Sequence, residues 1–243
     1  MNMSRTTAML VSVVVSGAAL AEETGAAKVP TRETYPAALV ERPLTLAAGV
    51  ADVVGTLALD LDRLEKPIAT FPGLAYGLSD GLTASLFTGF CIDRARDGCG
   101  GHVFEGAGGG AVLSLLRTGS TQIVGETALG VAWPSDARMS VGAAAKTTLG
   151  RFALVWNVTV FSRLNHFEHA DNTTFAATLQ PQMQLTDWLA AFGSIGFVAP
   201  FDHLGRNSIP RQVGLLVTPT RNLDIGVAVQ PGDLGVLSAS LRL

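Results

Sequence analysis

The chain has 243 residues, of which 48% are hydrophobic and 15% charged, and its mean hydropathy is +0.36. An ordinary soluble domain has about a quarter of its residues charged, so this chain is unusually apolar. Such a composition excludes a disordered chain, and a net charge of −3 without a basic run argues against nucleic-acid binding. Two cysteines in so long a chain exclude a small disulfide scaffold.

Residues 1–21 have the features of a secretory signal peptide. Arg5 is their one charged side chain, residues 8–15 are mostly apolar, and residues 19–21 form an A-x-A cleavage motif. The apolar stretch is shorter than the roughly 20 residues that a membrane-spanning helix needs. We therefore expect cleavage after Ala21 and export to an oxidising compartment.

Residues 22–49 are predicted to form an extended N-terminal periplasmic segment. They are polar at first, contain three prolines and show neither a helical nor a strand period. The rest of the chain, residues 50–243, is predicted to form a β-barrel domain. The sequence leaves open whether the N-terminal segment lies outside that barrel or plugs it.

The clearest strand pattern runs from Thr174 to Leu185. Apolar and polar residues alternate there with a period of two, which gives one apolar and one polar face. Similar alternation recurs at residues 152–160, 223–230 and 237–243. No run of 18 apolar residues follows Ala21, so the sequence does not fit a helical membrane protein.

The connections between these segments alternate in length, which indicates an up-and-down antiparallel sheet. Short polar turns occur at residues 79–81, 118–120, 150–151, 186–187 and 220–222, and longer connections separate them. About twelve strands result, an even number that puts both ends of the sheet on the short-turn side. Residues 188–199 alternate poorly and fit a short helix equally well.

Two all-β architectures fit this pattern, a transmembrane barrel and a soluble β-sandwich. A soluble sandwich exposes Lys and Glu on its outer strand faces. Here the less apolar faces carry mainly Gly, Ala, Ser, Thr and Gln. This favours a transmembrane barrel, in which the apolar face meets lipid and the small or polar face lines the interior.

The whole pattern resembles the outer-membrane β-barrel proteins of Gram-negative bacteria. The resemblance rests on residues 19–21, the alternating strand faces and the turn at residues 76–82, YGLSDGL. Residues 41–46, ERPLTL, resemble the approach to the first strand of uncharacterised barrels, some related to proposed hydrocarbon transporters. The resemblance implies an outer-membrane location, contact with membrane lipid and with the barrel-assembly machinery, and passage of a small-molecule solute.

The polar strand faces predict which side chains line the lumen. These residues are Asp52, Asp60, Glu126, Lys146, Asn157, Gln180, Gln182, Gln184, Asp224 and Arg242. Their charges are of mixed sign, so strong ion selectivity does not follow. We expect a passive channel or transporter for small solutes. The alternatives are a structural or surface-interaction barrel with a closed lumen and an exported soluble β-sandwich that acts as a binding module.

Cys91 and Cys99 flank a short polar loop, and in an exported protein they are predicted to form a disulfide. The sequence contains no recognisable catalytic constellation, so we expect no enzymatic activity. His166, Glu168 and His169 lie in one loop but do not follow a standard metal-binding motif. We therefore predict no metal site and no cofactor.

Overall fold

The computed structural model describes residues 30–60, 67–92, 103–132, 136–164, 173–201, 208–231 and 234–243. These ranges contain twelve β-strands and one 3₁₀ helix, Leu39–Glu41. The strands in chain order are β1 (Ala51–Asp60), β2 (Pro67–Ser79), β3 (Leu82–Cys91), β4 (Phe104–Arg117), β5 (Thr121–Ala132), β6 (Asp136–Leu149), β7 (Phe152–Arg163), β8 (Thr173–Thr186), β9 (Leu189–Pro200), β10 (Arg211–Thr220), β11 (Leu223–Gln230) and β12 (Leu234–Arg242).

The strands form one closed antiparallel barrel with up-and-down topology. Each strand pairs with its neighbours in sequence, and β1 closes the sheet by pairing with β12. The closing register runs from Asp52 opposite Arg242 to Asp60 opposite Leu234. The predicted barrel of about twelve strands is therefore confirmed. The β-sandwich alternative is wrong, because the twelve described strands form one continuous sheet that closes on itself.

The alternation read from the sequence gives the barrel an apolar outer face. In β11, for example, Ile225 and Val227 are exposed whereas Asp224 and Ala228 are buried. The barrel interior holds the polar side chains, and the exposed outer residues are Leu, Val, Ile, Phe and Trp along most strands. Such an outer surface fits a hydrocarbon environment better than water.

The ambiguous stretch at residues 188–199 is mostly β-strand. β9 pairs with β8 on one side and with β10 on the other, so its backbone groups are satisfied in the sheet. Its weak alternation arises from small residues on both faces, such as Ala190, Ala191 and Gly193. Propensity was uninformative here, and tertiary pairing decided the conformation.

The two ends of the sheet meet at the end of the barrel that carries the short turns. Ala51 and Leu243 exchange backbone hydrogen bonds there, at N···O distances of 3.1 and 2.8 Å. In the described part of the chain, no helix is long and apolar enough to cross a membrane.

Candidate functional site

Residues 30–50, which we call the mouth segment, lie inside the barrel. The segment is contacted by side chains from strands on all sides, among them Thr83 of β3, Gln122 of β5, Lys146 of β6 and Asp224 of β11. These side chains are buried on the inner face of a closed sheet. A segment that touches all of them must cross the lumen.

The mouth segment crosses the lumen at the short-turn end. Its Ala48 N–H donates to Oδ1 of Asp80, in the β2–β3 turn, at 3.2 Å. Arg221, in the β10–β11 turn, donates from Nη1 to the Glu33 carbonyl at 3.2 Å. Both ends of the segment are thus tied to the same rim, and the residues between them fill that mouth.

Arg42 is the most heavily bonded side chain of the mouth segment. Its guanidinium forms a two-pronged ion pair with Asp224, with Nη1–Oδ2 and Nη2–Oδ1 distances of 2.6 and 2.9 Å. It also donates to Thr218 Oγ1 at 3.2 Å and to the carbonyls of Pro36 and Ala37. Paired guanidinium–carboxylate bonds are among the strongest polar contacts in proteins, so Arg42 anchors the segment to the wall.

Asp224 is shared between two arginines. Arg242 of β12 contacts the same carboxylate, and its guanidinium carbon lies 5.7 Å from the ring centroid of Tyr35. That distance is suitable for a cation–π contact, which ties a second residue of the mouth segment to the wall. Burial raises the pKa of Tyr35 to about 12, although the positive charges of Arg42 and Arg242 act in the opposite direction.

Other wall side chains hold the backbone of the mouth segment. Lys146 Nζ donates to the carbonyls of Leu39 and Arg42, at 2.9 and 2.8 Å. In the opposite sense, the Leu44 N–H donates to Gln122 Oε1 at 2.6 Å. Bonds of this kind satisfy backbone groups that a closed lumen would otherwise leave without water.

Leu44 gives the mouth segment an apolar anchor. It packs in a buried cluster with four inner-wall residues, Val112, Val124, Ala144 and Val155, from four consecutive strands. Burial of a leucine side chain contributes about 1.5–3 kcal/mol. The segment is therefore held by apolar packing as well as by charge and hydrogen bonds.

The middle of the lumen contains a different polar group, centred on Glu126 of β5. Its Oε1 accepts hydrogen bonds from Asn157 Nδ2 at 2.5 Å and from Thr159 Oγ1 at 2.7 Å. Glu126 lies opposite Gly142, which leaves room for these two β7 side chains to reach across β6. The group links β5 to β7 across β6 and faces the interior.

Two phenylalanine rings lie over glycines of neighbouring strands inside the barrel. The Phe87 ring lies 2.5 Å from the position that a Cβ on Gly108 would occupy. The Phe192 ring likewise lies 2.5 Å from the position of a Cβ on Gly214. A larger residue at either glycine would push the ring away from the wall. The glycines thus let both rings lie against the wall instead of across the lumen.

The predicted lumen residues occupy two depths of the barrel. Asp60 ends β1, and its side chain lies outside the described residues; the other nine side chains face inward. Lys146, Asp224 and Arg242 contact the mouth segment, and Asp52 accepts from Ser240 at the same end of the barrel. Glu126 and Asn157 lie at mid-depth. Gln180, Gln182 and Gln184 follow one another along β8. A part in solute passage stays a prediction for all of them.

Sequence reasoning missed the wall residues that bind the mouth segment, such as Thr83, Arg117, Gln122 and Thr148. The sequence did contain an indication of an apolar patch on the inner wall. Successive residues of a strand face opposite sides, so two adjacent apolar residues, as at Ile123 and Val124 of β5, make the inner face apolar there as well as the outer one. An apolar inner face needs something apolar to cover it.

Only one of the two cysteines of the predicted disulfide lies within the described residues. Cys91 ends β3, and its side chain is 5% exposed. Cys99 lies outside the described residues, so the Cys91–Cys99 bond stays a prediction. His166, Glu168 and His169 also lie outside the described residues, so the expectation that they form no metal site stays a prediction.

Comparison with known proteins places the fold among outer-membrane porins. No family model and no curated protein matches the sequence. Among solved structures, the KdgM porin matches with a TM-score of 0.59 at 8% identity, over 79% of this chain and 97% of that one. The NanC porin gives 0.57 at 8% identity, over 79% and 100%. The COG4313 outer membrane channel from Pseudomonas putida F1 gives 0.58 at 12%, over 82% and 97%.

The chain has the fold of these porins. TM-scores of 0.57–0.59 show the common architecture of the chains. Identities of 8–12% leave the solute of this barrel to be argued from its own residues.

Proposed function

We propose that this protein is an outer-membrane channel for small solutes and that the mouth segment closes its short-turn end. The signal peptide of residues 1–21 exports the chain, and the barrel-assembly machinery inserts it into the membrane. Short turns face the periplasm in barrels of this type, so the closed mouth is the periplasmic one. Catalysis forms no part of this proposal.

The distribution of apolar and polar residues supports a membrane channel. Leu86 and Val213 on the outer face are 64% and 61% exposed, whereas the inner face carries buried Thr, Ser, Gln and charged side chains. A barrel of about twelve strands encloses a lumen wide enough for a small solute. The neighbouring folds are porins and channels, and one KdgM structure is a complex with oligogalacturonate.

The observation that carries the proposal is how the mouth segment is held. Arg42 binds a wall carboxylate that Arg242 also neutralises, so the carboxylate remains paired when the segment leaves. Breaking a buried ion pair is costly mainly when one charge is left alone. The Arg42 attachment can therefore be released without leaving the Asp224 carboxylate unpaired on the wall.

The first test replaces Arg42 by alanine. Loss of its bonds to Asp224 and Thr218 removes about 1.5–3 kcal/mol from the closed state, which corresponds to roughly a tenfold to hundredfold shift toward the open one. We expect Arg42→Ala to raise the open probability in planar lipid bilayers. The single-channel current of an open channel should stay within about twofold.

Arg32 supplies the matched control, because it lies in the same segment and its side chain is exposed. Arg32→Ala should conduct like the unaltered protein. Equal open probabilities for Arg42→Ala and Arg32→Ala would contradict the proposed closure by this segment.

The filled mouth also favours a second candidate, a structural or surface-interaction barrel with a permanently closed lumen. That candidate predicts no conductance from the unaltered protein, and conductance only from a variant in which residues 30–48, which fill the mouth, are removed. Conductance from the unaltered protein excludes it.

A further inference from the structure

We infer that the protein binds a small soluble anion, a carboxylate or a phosphate, in a cavity between the mouth segment and the wall formed by β4, β5 and β6. The cavity has a volume of about 330 Å³. Arg117, Lys146 and the β4–β5 turn line its wall side, and Pro36 and Glu41 line its segment side. Anion binding at this site does not require that the barrel conduct solutes.

The cavity is rich in cations that have no carboxylate partner. Lys146 is 6% exposed, and it donates hydrogen bonds to two backbone carbonyls, which are neutral acceptors. Arg117 donates from Nη2 to Thr45 Oγ1 at 2.5 Å. Among the described residues, no carboxylate oxygen lies within ion-pair distance of either cation.

One donor at this site has no partner within the described structure. Nη1 of Arg117 is buried and has no acceptor among those residues. A buried cationic donor without an acceptor is unfavourable, because it has lost its water and gained nothing in exchange. An anion in the cavity would supply the missing acceptor.

The nearby acidic groups do not replace that anion. Glu41 lines the cavity, but its side chain is exposed to water, where an ion pair contributes little. Asp80 is near enough to influence Arg117 electrostatically, yet its Oδ1 accepts from the Ala48 N–H. The third cation at the cavity, Arg42, is already paired with Asp224.

The position and the lining of the cavity fit a small soluble anion. It lies on the lumen side of the sheet and of the β4–β5 turn, away from the lipid-facing outer surface of the barrel. Its volume equals that of about ten water molecules, which is ample for phosphate or a small dicarboxylate. Hydroxyl side chains of the β4–β5 turn, such as Thr118 and Ser120, line it beside the cations. Carboxylates and phosphates match this set of donors.

The direct experiment follows the ammonium group of Lys146 by nitrogen-15 NMR in the complete barrel in detergent micelles. The sequence contains three lysines, at positions 28, 66 and 146, so the spectrum can be assigned by substitution. Inorganic phosphate and malonate, added at constant ionic strength, should shift the Lys146 signal saturably. The chemical shifts of Lys28 and Lys66 should change no more with phosphate or malonate than they do with chloride at the same ionic strength.

Calorimetry with the same two anions provides the test by mutation. Lys146→Met and Arg117→Met should each weaken phosphate binding about tenfold, since each removes one charge-assisted hydrogen bond. Arg151→Met, in the exposed β6–β7 turn, is the matched control and should bind like the unaltered protein.

The proposal is overturned if neither anion shifts the Lys146 signal, or if all three variants bind phosphate equally. The NMR titration uses the unaltered chain, so it decides the matter even if a variant fails to fold. Binding and conductance are separate measurements: an anion that binds to a barrel without conductance contradicts the channel and leaves this site intact.

Discussion

At the scale of single residues, the clearest adaptation is the glycine at position 77. The mouth segment pairs with β2 there. The Gly49 N–H donates to the Gly77 carbonyl at 2.8 Å, and the Gly77 N–H donates to the Val50 carbonyl at 2.9 Å. A Cβ on Gly77 would lie 2.0 Å from the carbonyl oxygen of Ala47. No side chain fits at this contact.

Gly77→Ala should therefore displace the segment and raise the open probability in lipid bilayers. Overpacking of a tight backbone contact costs about 1–3 kcal/mol, which corresponds to roughly a fivefold to hundredfold change in the closed-to-open ratio. Gly55→Ala is the matched control, because a Cβ on Gly55 meets nothing within 4 Å. If the two variants have the same open probability, the contact at Gly77 does not hold the segment closed.

The depth of each charged side chain within the barrel could not be predicted from residue identities alone. The sequence predicted inward charges of mixed sign, and from that no strong selectivity. The structure separates them by depth, with Lys146, Asp224 and Arg242 around the mouth segment and Glu126 at mid-depth. Depth follows from strand register, which residue types do not specify.

At the scale of single strands, period-two alternation determines which face meets lipid. β11 is the simplest case, since its outward residues Ile225, Val227 and Val229 are all exposed. Its inward residues are buried beside the mouth segment or within the lumen. A strand with these two faces is stable only at the boundary between lipid and a polar interior.

Val227→Arg, near the centre of β11, should lower the free energy of unfolding in lipid vesicles by about 2–4 kcal/mol. The physical cause is transfer of a charged group to the middle of the bilayer. Thr220→Arg, at the short-turn end of β10, should lower it by about 0–1 kcal/mol. Urea titration of the two variants measures the difference, and equal losses would show that this face does not contact lipid.

Strand assignment also shows where pattern reading fails. β4 and β9 have small residues on both faces, so alternation is weak in both. They are strands because each pairs with two neighbours along its length. Pairing is a property of the whole sheet, and a local window of sequence does not contain it.

At the scale of the whole molecule, closure of the sheet is the dominant feature. β1 and β12 pair over nine residue positions, so the described barrel has no free strand edge. In lipid every backbone polar group must be bonded within the protein, and closure achieves this. The same closure makes a folded barrel resistant to SDS until it is heated.

Ala239→Pro should lower the temperature at which the barrel changes its mobility on SDS gels. Ala239 pairs with Gly55 and with Ile225. Proline removes one backbone donor from this seam and leaves its acceptor unpaired within the membrane, at a cost of several kcal/mol. Ala239→Ser keeps the donor and should retain the original transition temperature. An unchanged temperature for the proline variant would contradict closure through β1 and β12.

The sequence by itself determined the architecture: strands, their two faces, short turns on one side and an even strand number. These are local properties, because a strand's faces follow from alternation and a turn follows from its residues. It also predicted the inward residues at positions such as Lys146 and Asp224.

Only the tertiary structure decided that residues 30–50 fill the mouth of the barrel. Arg42 and Asp224 are separated by 182 positions, and Leu44 packs against valines of β4, β5 and β7. No local period marks a segment without regular structure, and its conformation is set by what surrounds it. Contacts between such distant residues exist only after the sheet has closed.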